Sequence, residues 1–273
     1  MVAEPFIAVE VTEMNRPFYS ITINGKNTWD EWQMMPVGEG KIEFNSPEPR
    51  TNFVTVPGSS NILDYSEVPA GFPTYDPRKG SLNFRFKQGN KSVRSRWQDF
   101  KNFVHGRQVT IINEDEPEFY YEGRLSVSNL KYKSRGDWAD LEVEYLLHAY
   151  KMEIVASDEP WLWDPFNFET GIIRDYREII VGGEGTDPVE MHIEGSPKRQ
   201  PLSMTFSRNT LPASMTDGIG FFWLGTYEEA TSDDYEVSYG KYTYPQIVIP
   251  PEGIDITFSG NYKVTIHYRG GWL

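Results

Sequence analysis

Two stretches of the chain alternate cleanly between apolar and polar residues. From Ser81 to Phe86, Leu82, Phe84 and Phe86 fall on one side, and Asn83, Arg85 and Lys87 on the other. From Trp138 to Tyr150, Leu141, Val143 and Tyr145 share one side against Glu142 and Glu144. A period of two is that of a strand with one face in a core. Between these stretches, Val93, Trp97, Phe100 and Val104 recur at helical spacing. Ser92 stands where a cap belongs and Gly106 where a helix stops. This predicts the one α-helix, at about residues 92–105. Shorter strands are expected at Phe18–Ile23, Lys41–Phe44, Asn52–Val56, Arg107–Asn113 and Phe119–Val127, with Ser128–Tyr132 extended. Gly123 reads as a bulge inside its strand. Asn24-Gly25 is a hairpin-turn signal, and Arg135-Gly136-Asp137 reads as another turn.

The character changes after Tyr150. A boundary is expected near the Asp158-Glu159-Pro160 breaker, giving a first domain of residues 1–155 and a second of 156–273. The second part carries strand candidates at Arg177–Val181, Val189–Ile193, Leu202–Ser207, Gly220–Tyr227, Tyr235–Tyr242, Gln246–Ile249, Asp255–Ser259 and Tyr262–Tyr268. Their regular spacing, with turn residues between, predicts an antiparallel sandwich. No strand–helix alternation appears, so a parallel α/β fold is not expected.

One stretch obeys neither period. Val56–Phe86 opens on the turn Val56-Pro57-Gly58 and closes on the strand Ser81–Phe86. The loop between them is rich in Pro, Gly and Tyr. Compact domains seldom carry so long a loop unless it binds something or is disordered. Ile62, Leu63, Tyr65, Val68, Phe72 and Tyr75 are too many apolar anchors for disorder, so the loop is expected to cover a neighbour.

Composition narrows the chemistry. The 273 residues include no cysteine, which removes disulfides, thiolate metal sites and Cys nucleophiles. The 26 Lys and Arg against 40 Asp and Glu give −14, which opposes nucleic-acid binding. No signal peptide and no membrane-spanning run are read, and no membrane insertion is expected. P-loop, G-x-S-x-G and H-E-x-x-H patterns are absent, and Gly182-Gly183-Glu184-Gly185 reads as a turn. His105, His148, His192 and His267 have no metal-ligand spacing. Asp164 and Glu169 beside Trp161 and Trp163 are a conceivable glycosidase pair, but nothing fixes their separation. Trp161, Trp163 and Trp223 are candidate glycan-stacking aromatics. No catalytic residue, metal or cofactor is expected.

Taken in series, the first part resembles the distal tail protein family of long-tailed, non-contractile (siphovirus-type) bacteriophages and prophages. Ile21–Gly25 and Trp29–Trp32 look like that family's opening strand and turn. Val54–Gly58 with Leu63-Asp64 is similar to its "vPG…LD" signature. Tyr75–Arg78 running into Leu82–Phe86 is similar to its "Y…R…l.f.F" strand. The helix Trp97–Val104 with Gly106, then Tyr120–Arg124, follow in the family's order. Ala149-Tyr150-Lys151 stands where the family has Pro-Tyr-Lys, and Ser59-Ser60-Asn61 where it has "GRDG". The likeness covers residues 18–151, and Tyr262–Arg269 with Trp272-Leu273 resembles the closing strand.

The resemblance implies a non-enzymatic virion protein of the tail tip, made and assembled in the host cytoplasm. It implies a first domain of β-sandwich or split-barrel type that forms a hexameric ring. The ring joins the tail tube protein to the tail-tip hub or baseplate and passes DNA through its lumen. The second domain is expected to be a galectin-like β-sandwich pointing outward, sometimes carrying receptor-binding proteins; the tape measure protein is a further partner. The loop becomes a seam between protomers, with Leu63, Tyr65, Phe72, Tyr75 and Arg78 as contacts. An acidic lumen that repels DNA phosphates is one use for the charge. The alternative is a carbohydrate-binding, host-adhesion β-sandwich protein.

Overall fold

A computed structural model describes residues 18–38, 42–87, 89, 91–133, 138–160, 174–182, 188–209, 220–226 and 234–273. The fold is mainly β, as expected. The chain divides into two compact units, Met1–Lys151 with Leu273, and Met152–Trp272.

In the first unit, β1 (Ile21–Ile23) and β2 (Lys26–Asn27) form a hairpin through Asn24-Gly25. Both turn residues have positive φ, 47° and 78°, the geometry Asn-Gly tolerates best. Asn27 then caps a short helix, α1 (Thr28–Trp32), by accepting from the amides of Trp29 and Asp30. There follow β3 (Met34–Pro36), β4 (Phe53–Thr55), β5 (Ile62–Asp64), β6 (Arg78–Phe86), α2 (Val93–Val104), β7 (Gln108–Asn113), β8 (Glu116–Val127), β9 (Lys131–Tyr132) and β10 (Ala139–Leu147). The main sheet runs β2-β1-β7-β8-β10-β6-β3, with β9 on β10. Leu82, Phe84 and Phe86 of β6 and Leu141, Val143 and Tyr145 of β10 turn into one core, as their alternation requires.

Helix α2 closes that core. Ser92 caps it, accepting from the amide of Ser95 at 3.2 Å, and Gly106 turns the chain out at φ 72°. Phe100 meets Trp32 edge-to-face at 5.2 Å. Arg96 is a surprise on the buried face. Its guanidinium donates to Trp32 O, Gln33 Oε1 and Lys87 O and lies over the Phe86 ring. It thus satisfies a carbonyl at the end of α1, where Gln33 takes a left-handed conformation.

Three expectations in this unit are corrected. The strand expected at Lys41–Phe44 is irregular chain in its described part: Ile42 is buried, and its carbonyl is held by Asn113 Nδ2 rather than by a ladder. Gly123 is no bulge, because its register with Leu147 is regular; the register of β7 with β8 shifts instead between Ile112 and Asn113. Gly123 is small because a Cβ there would stand 2.2 Å from Leu146 O. The long loop is not structureless, since it contains β5, and β6 begins at Arg78 rather than Ser81. The Arg135-Gly136-Asp137 turn lies outside the described residues.

The boundary falls within β11 (Lys151–Glu153), and the second unit goes on with β12 (Ile179–Val181), β13 (Val189–Ile193), β14 (Gln200–Ser207), β15 (Gly220–Leu224), β16 (Tyr235–Val237), β17 (Gly240–Ile249), β18 (Ile254–Ser259), β19 (Tyr262–Ile266) and β20 (Gly271–Trp272). Two 4-stranded antiparallel sheets, β12-β19-β14-β17 and β13-β18-β15-β16, enclose a core of Phe206, Phe222, Phe258, Tyr262 and their neighbours. The single strand expected at Tyr235–Tyr242 is two, belonging to different sheets; the chain switches at Gly240, φ 138°. Buried Arg174 fastens the unit: it grips both oxygens of Glu153 at 2.5 Å and donates to Gly195 O, while Glu153 also accepts from Trp272 Nε1.

Candidate functional site

The feature that stands apart is an arm between Glu48 and Pro77, in which no residue is buried. Its root is clamped in the first unit. Buried Arg78 donates to Ala149 O and Asn45 O and lies over the Tyr121 ring. Tyr145 Oη accepts from the Asn45 amide at 2.8 Å, and Asn45 Nδ2 donates to Lys79 O. This crossing needs Gly80, where a Cβ would stand 2.5 Å from Tyr145 Oη. Around Arg78, Glu116 accepts from Lys151 and Tyr121. Burial acts to raise the Glu116 pKa, but those two hydrogen bonds together with the charges of Lys151 and Arg78 outweigh it and hold the carboxyl below its ordinary range. Burial pushes the Tyr121 phenol well above its ordinary value.

From this root the two limbs run antiparallel. Asp76 N donates to Glu48 O, Pro49 bridges Tyr75, Arg50 N donates to Thr74 O, and Arg50 Nε meets Asp76 Oδ1 at 2.6 Å. A turn at Glu67–Gly71 interrupts the return limb, closed by Gly71 N donating to Glu67 O at 2.6 Å. Beyond it Tyr65 N donates to Asn52 O, and β4 pairs with β5 as Phe53↔Asp64, Val54↔Leu63 and Thr55↔Ile62. The tip turns through Pro57-Gly58, with Gly58 at φ 80°. Hydrogen bonds from Ser66 hold the Asp64 carboxyl below its ordinary range.

The ribbon β4–β5 is apolar on both faces. Phe53 (59% exposed) and Ile62 (62%) lie on one, Val54 and Leu63 on the other, and Val68 is 70% exposed nearby. A two-stranded ribbon is marginal in water by itself, and a contiguous exposed apolar surface marks an interaction site. Of the residues expected at a protomer seam, Leu63 and Tyr65 are exposed here and Phe72 and Tyr75 are half-buried. The Tyr75 ring meets Tyr150 edge-to-face at 5.9 Å, at the arm's root. Arg78, 4% exposed, is inside its own subunit. Its place is to anchor the arm, a role invisible in a sequence where arginine reads as surface.

Of the glycan-stacking candidates, Trp223 lies among the described residues. Trp223 is 7% exposed, with Nε1 donating to Thr226 O, so it offers no open indole face. Trp161 and Trp163, with Asp164 and Glu169, lie outside the described residues. Among the described residues no group of His, Asp and Glu could hold a metal, and no helix is long and apolar enough to cross a membrane. His267, read as a strand histidine, joins Asp158 Oδ2 at 2.5 Å and Thr205 Oγ1 at 2.7 Å. Ser157 pins the same segment, donating to Ile266 O and accepting from Tyr268 N, so this chain of hydrogen bonds clasps the start of the unit to β19.

No family model matches the chain, and no curated protein matches it. A solved structure does. It is the SPP1 Dit (gp 19.1) protein, described as a paradigm of the hub adsorption apparatus in phages that infect Gram-positive bacteria. The match covers 93% of this chain and 99% of that one, with a TM-score of 0.56 and 10% identity. The likeness is one of fold. At 93% of this chain it reaches into both units, so the likeness is not that of one sandwich alone.

Proposed function

We propose that this protein is a structural component of a phage tail tip, part of the hub that carries the adsorption apparatus. The observation that carries the reading is the likeness to the SPP1 Dit fold over 93% of the chain. The exposed two-faced arm supports it, because such a ribbon belongs in an assembly. In this reading the first units form a hexameric ring that joins the tail tube protein to the tail-tip hub and passes DNA. The second units are galectin-like sandwiches facing outward, where receptor-binding proteins dock. The tape measure protein meets the ring from the tube side, and the protein resides in the virion.

The charge is unevenly shared. Residues 152–273 hold 8 Lys and Arg against 19 Asp and Glu, a net of −11, leaving −3 for residues 1–151. The acidity therefore belongs mostly to the outward unit, and a DNA-repelling lumen has to rest on local placement of carboxylates rather than on bulk charge.

Mass in solution tests the assembly. Light scattering on the full chain, alone and with its tube protein, is expected to give a hexamer. A strict monomer under both conditions overturns the reading.

A further inference from the structure

A second exposed apolar surface lies in the first unit, at the hairpin of β9 and β10. Tyr132 is 53% exposed and Trp138 is 42% exposed; Lys133 N donates to Trp138 O, and Tyr132 pairs with Ala139. In that register Trp138 shares a face with Asp140, Lys131 and Lys133, and Tyr132 lies on the other face with Ala139. Lys131 and Lys133 flank Trp138, with side chains 67% and 62% exposed. Together with Arg85 they face Asp140 and Glu142, three cations against two carboxylates.

The register of β6 with β10 fixes where this surface lies relative to the arm. Leu147 pairs with Arg78 at the arm's root, and Ala139 pairs with Phe86 at the other end. Eight steps along an antiparallel ladder span about 27 Å. Arm and hairpin are thus at opposite ends of one strand pair, and among the described residues neither is covered by its own chain. The two surfaces are also complementary. One face of the ribbon presents Phe53 and Ile62 with Asp64, and Glu67 follows in the adjoining turn. Within the arm Arg50 pairs with Asp76, and at its root Lys79 pairs with Glu48, which leaves the acidic character around the apolar ribbon.

We infer that a second copy of this chain covers the arm: Phe53 and Ile62 of one protomer pack on Trp138 of the next, with Asp64 and Glu67 toward Lys131 and Lys133. The two patches differ, so the contact is head-to-tail. Such contacts propagate and close into a ring when the rotation allows. Each protomer gives one arm and receives one. The inference rests on the ring reading above and supplies its seam.

The absence of native cysteine makes the test clean. Ile62→Cys and Trp138→Cys are made as separate full-length proteins, mixed, and oxidised at concentrations where the parent assembles. A crosslinked dimer is expected in the mixture and in neither protein alone, and the double variant should give a ladder ending at the ring. Rings of normal mass without the mixed crosslink overturn the docking and leave the ring reading standing, as does self-crosslinking of Ile62→Cys alone. No assembly of the parent chain, with tube protein present, overturns both. Charge reversal gives a second arm. Lys131→Glu with Lys133→Glu should weaken assembly at least about tenfold, and Asp64→Lys with Glu67→Lys should restore it. Folded proteins that stay apart when so recombined overturn the pairing.

Discussion

Two antiparallel ladders of the first unit invite comparison. In β6–β10, Leu82, Phe84 and Phe86 and every second residue of β10 from Ala139 to Leu147 are apolar and buried; in β4–β5 apolar residues occupy both faces and none is buried. Both make main-chain hydrogen bonds. What differs is the side-chain cover, and cover is what makes a strand pair stable. The body ladder is complete within one chain, while the arm is complete only with something outside it. The largest expected effect follows. Phe84→Ala should cost about 3–5 kcal/mol of monomer stability by urea unfolding, while Phe53→Ala should stay within about 0.5 kcal/mol and instead weaken assembly. Deleting Asp64–Tyr75 should likewise leave a folded monomer that no longer assembles. If the deletion unfolds the chain, the arm belongs to the subunit's own core and the comparison fails.

Glycines sharpen the same contrast. Gly123 lies where β8 passes β10 so closely that a Cβ meets the Leu146 carbonyl, and backbone cannot step aside cheaply. Gly58, at the arm tip, has nothing within 4 Å, and only its φ of 80° resists a side chain. Gly123→Ala should therefore cost about 3 kcal/mol or more, and Gly58→Ala about 1–2 kcal/mol of local strain. Thermal unfolding checks both, and equal effects would mean that the tip is as tightly determined as the sheet. A smaller loss, about 1 kcal/mol, is expected for Ser92→Ala, which removes the cap of α2.

The body was largely legible in the sequence and the arm only in outline. Alternation revealed β6 and β10, and Asn24-Gly25 and Ser92 marked a turn and a cap, because each signal is local. Strand β5 is three residues long, too short for a period to declare itself, and only its pairing with β4 makes it a strand. Arg78 and Arg96 are buried because carbonyls of distant segments converge on them, Ala149 and Asn45 on one, Trp32 and Lys87 on the other. No spacing rule foresees that. Gly123 read as a bulge because close strand approach and a bulge leave the same trace in one sequence. The apolar anchors of the loop were visible, yet which of them face solvent depended on where the root is clamped. Leu63 is on the ribbon, while Tyr75 is at the base beside Tyr150.

The smallest expected effect separates the regions by pH. Two carboxyls, Glu116 at the root and Asp64 on the ribbon, are both held below their ordinary range. The causes differ. Asp64 accepts from Ser66, two residues on, a turn contact that an unfolded chain also visits. Glu116 accepts from Lys151, 35 residues away in sequence, and from Tyr121 in the folded sheet. Of the two contacts only that of Glu116 is lost on unfolding, so of the two carboxyls Glu116 is the one whose proton is linked to stability. A depressed carboxyl stabilises fully above its unfolded value, here 4.5, and that contribution disappears as pH falls through the lower folded value. Glu116 is part-exposed, so screening keeps the contribution below that of a helix cap. Melting temperature followed downward from pH 6 should fall less steeply below about pH 4.5 for Glu116→Gln than for the parent, and Asp64→Asn should track the parent. If Asp64→Asn flattens the curve instead, the ribbon is coupled to the fold of its own subunit, and its apolar faces would then serve that subunit rather than a neighbour.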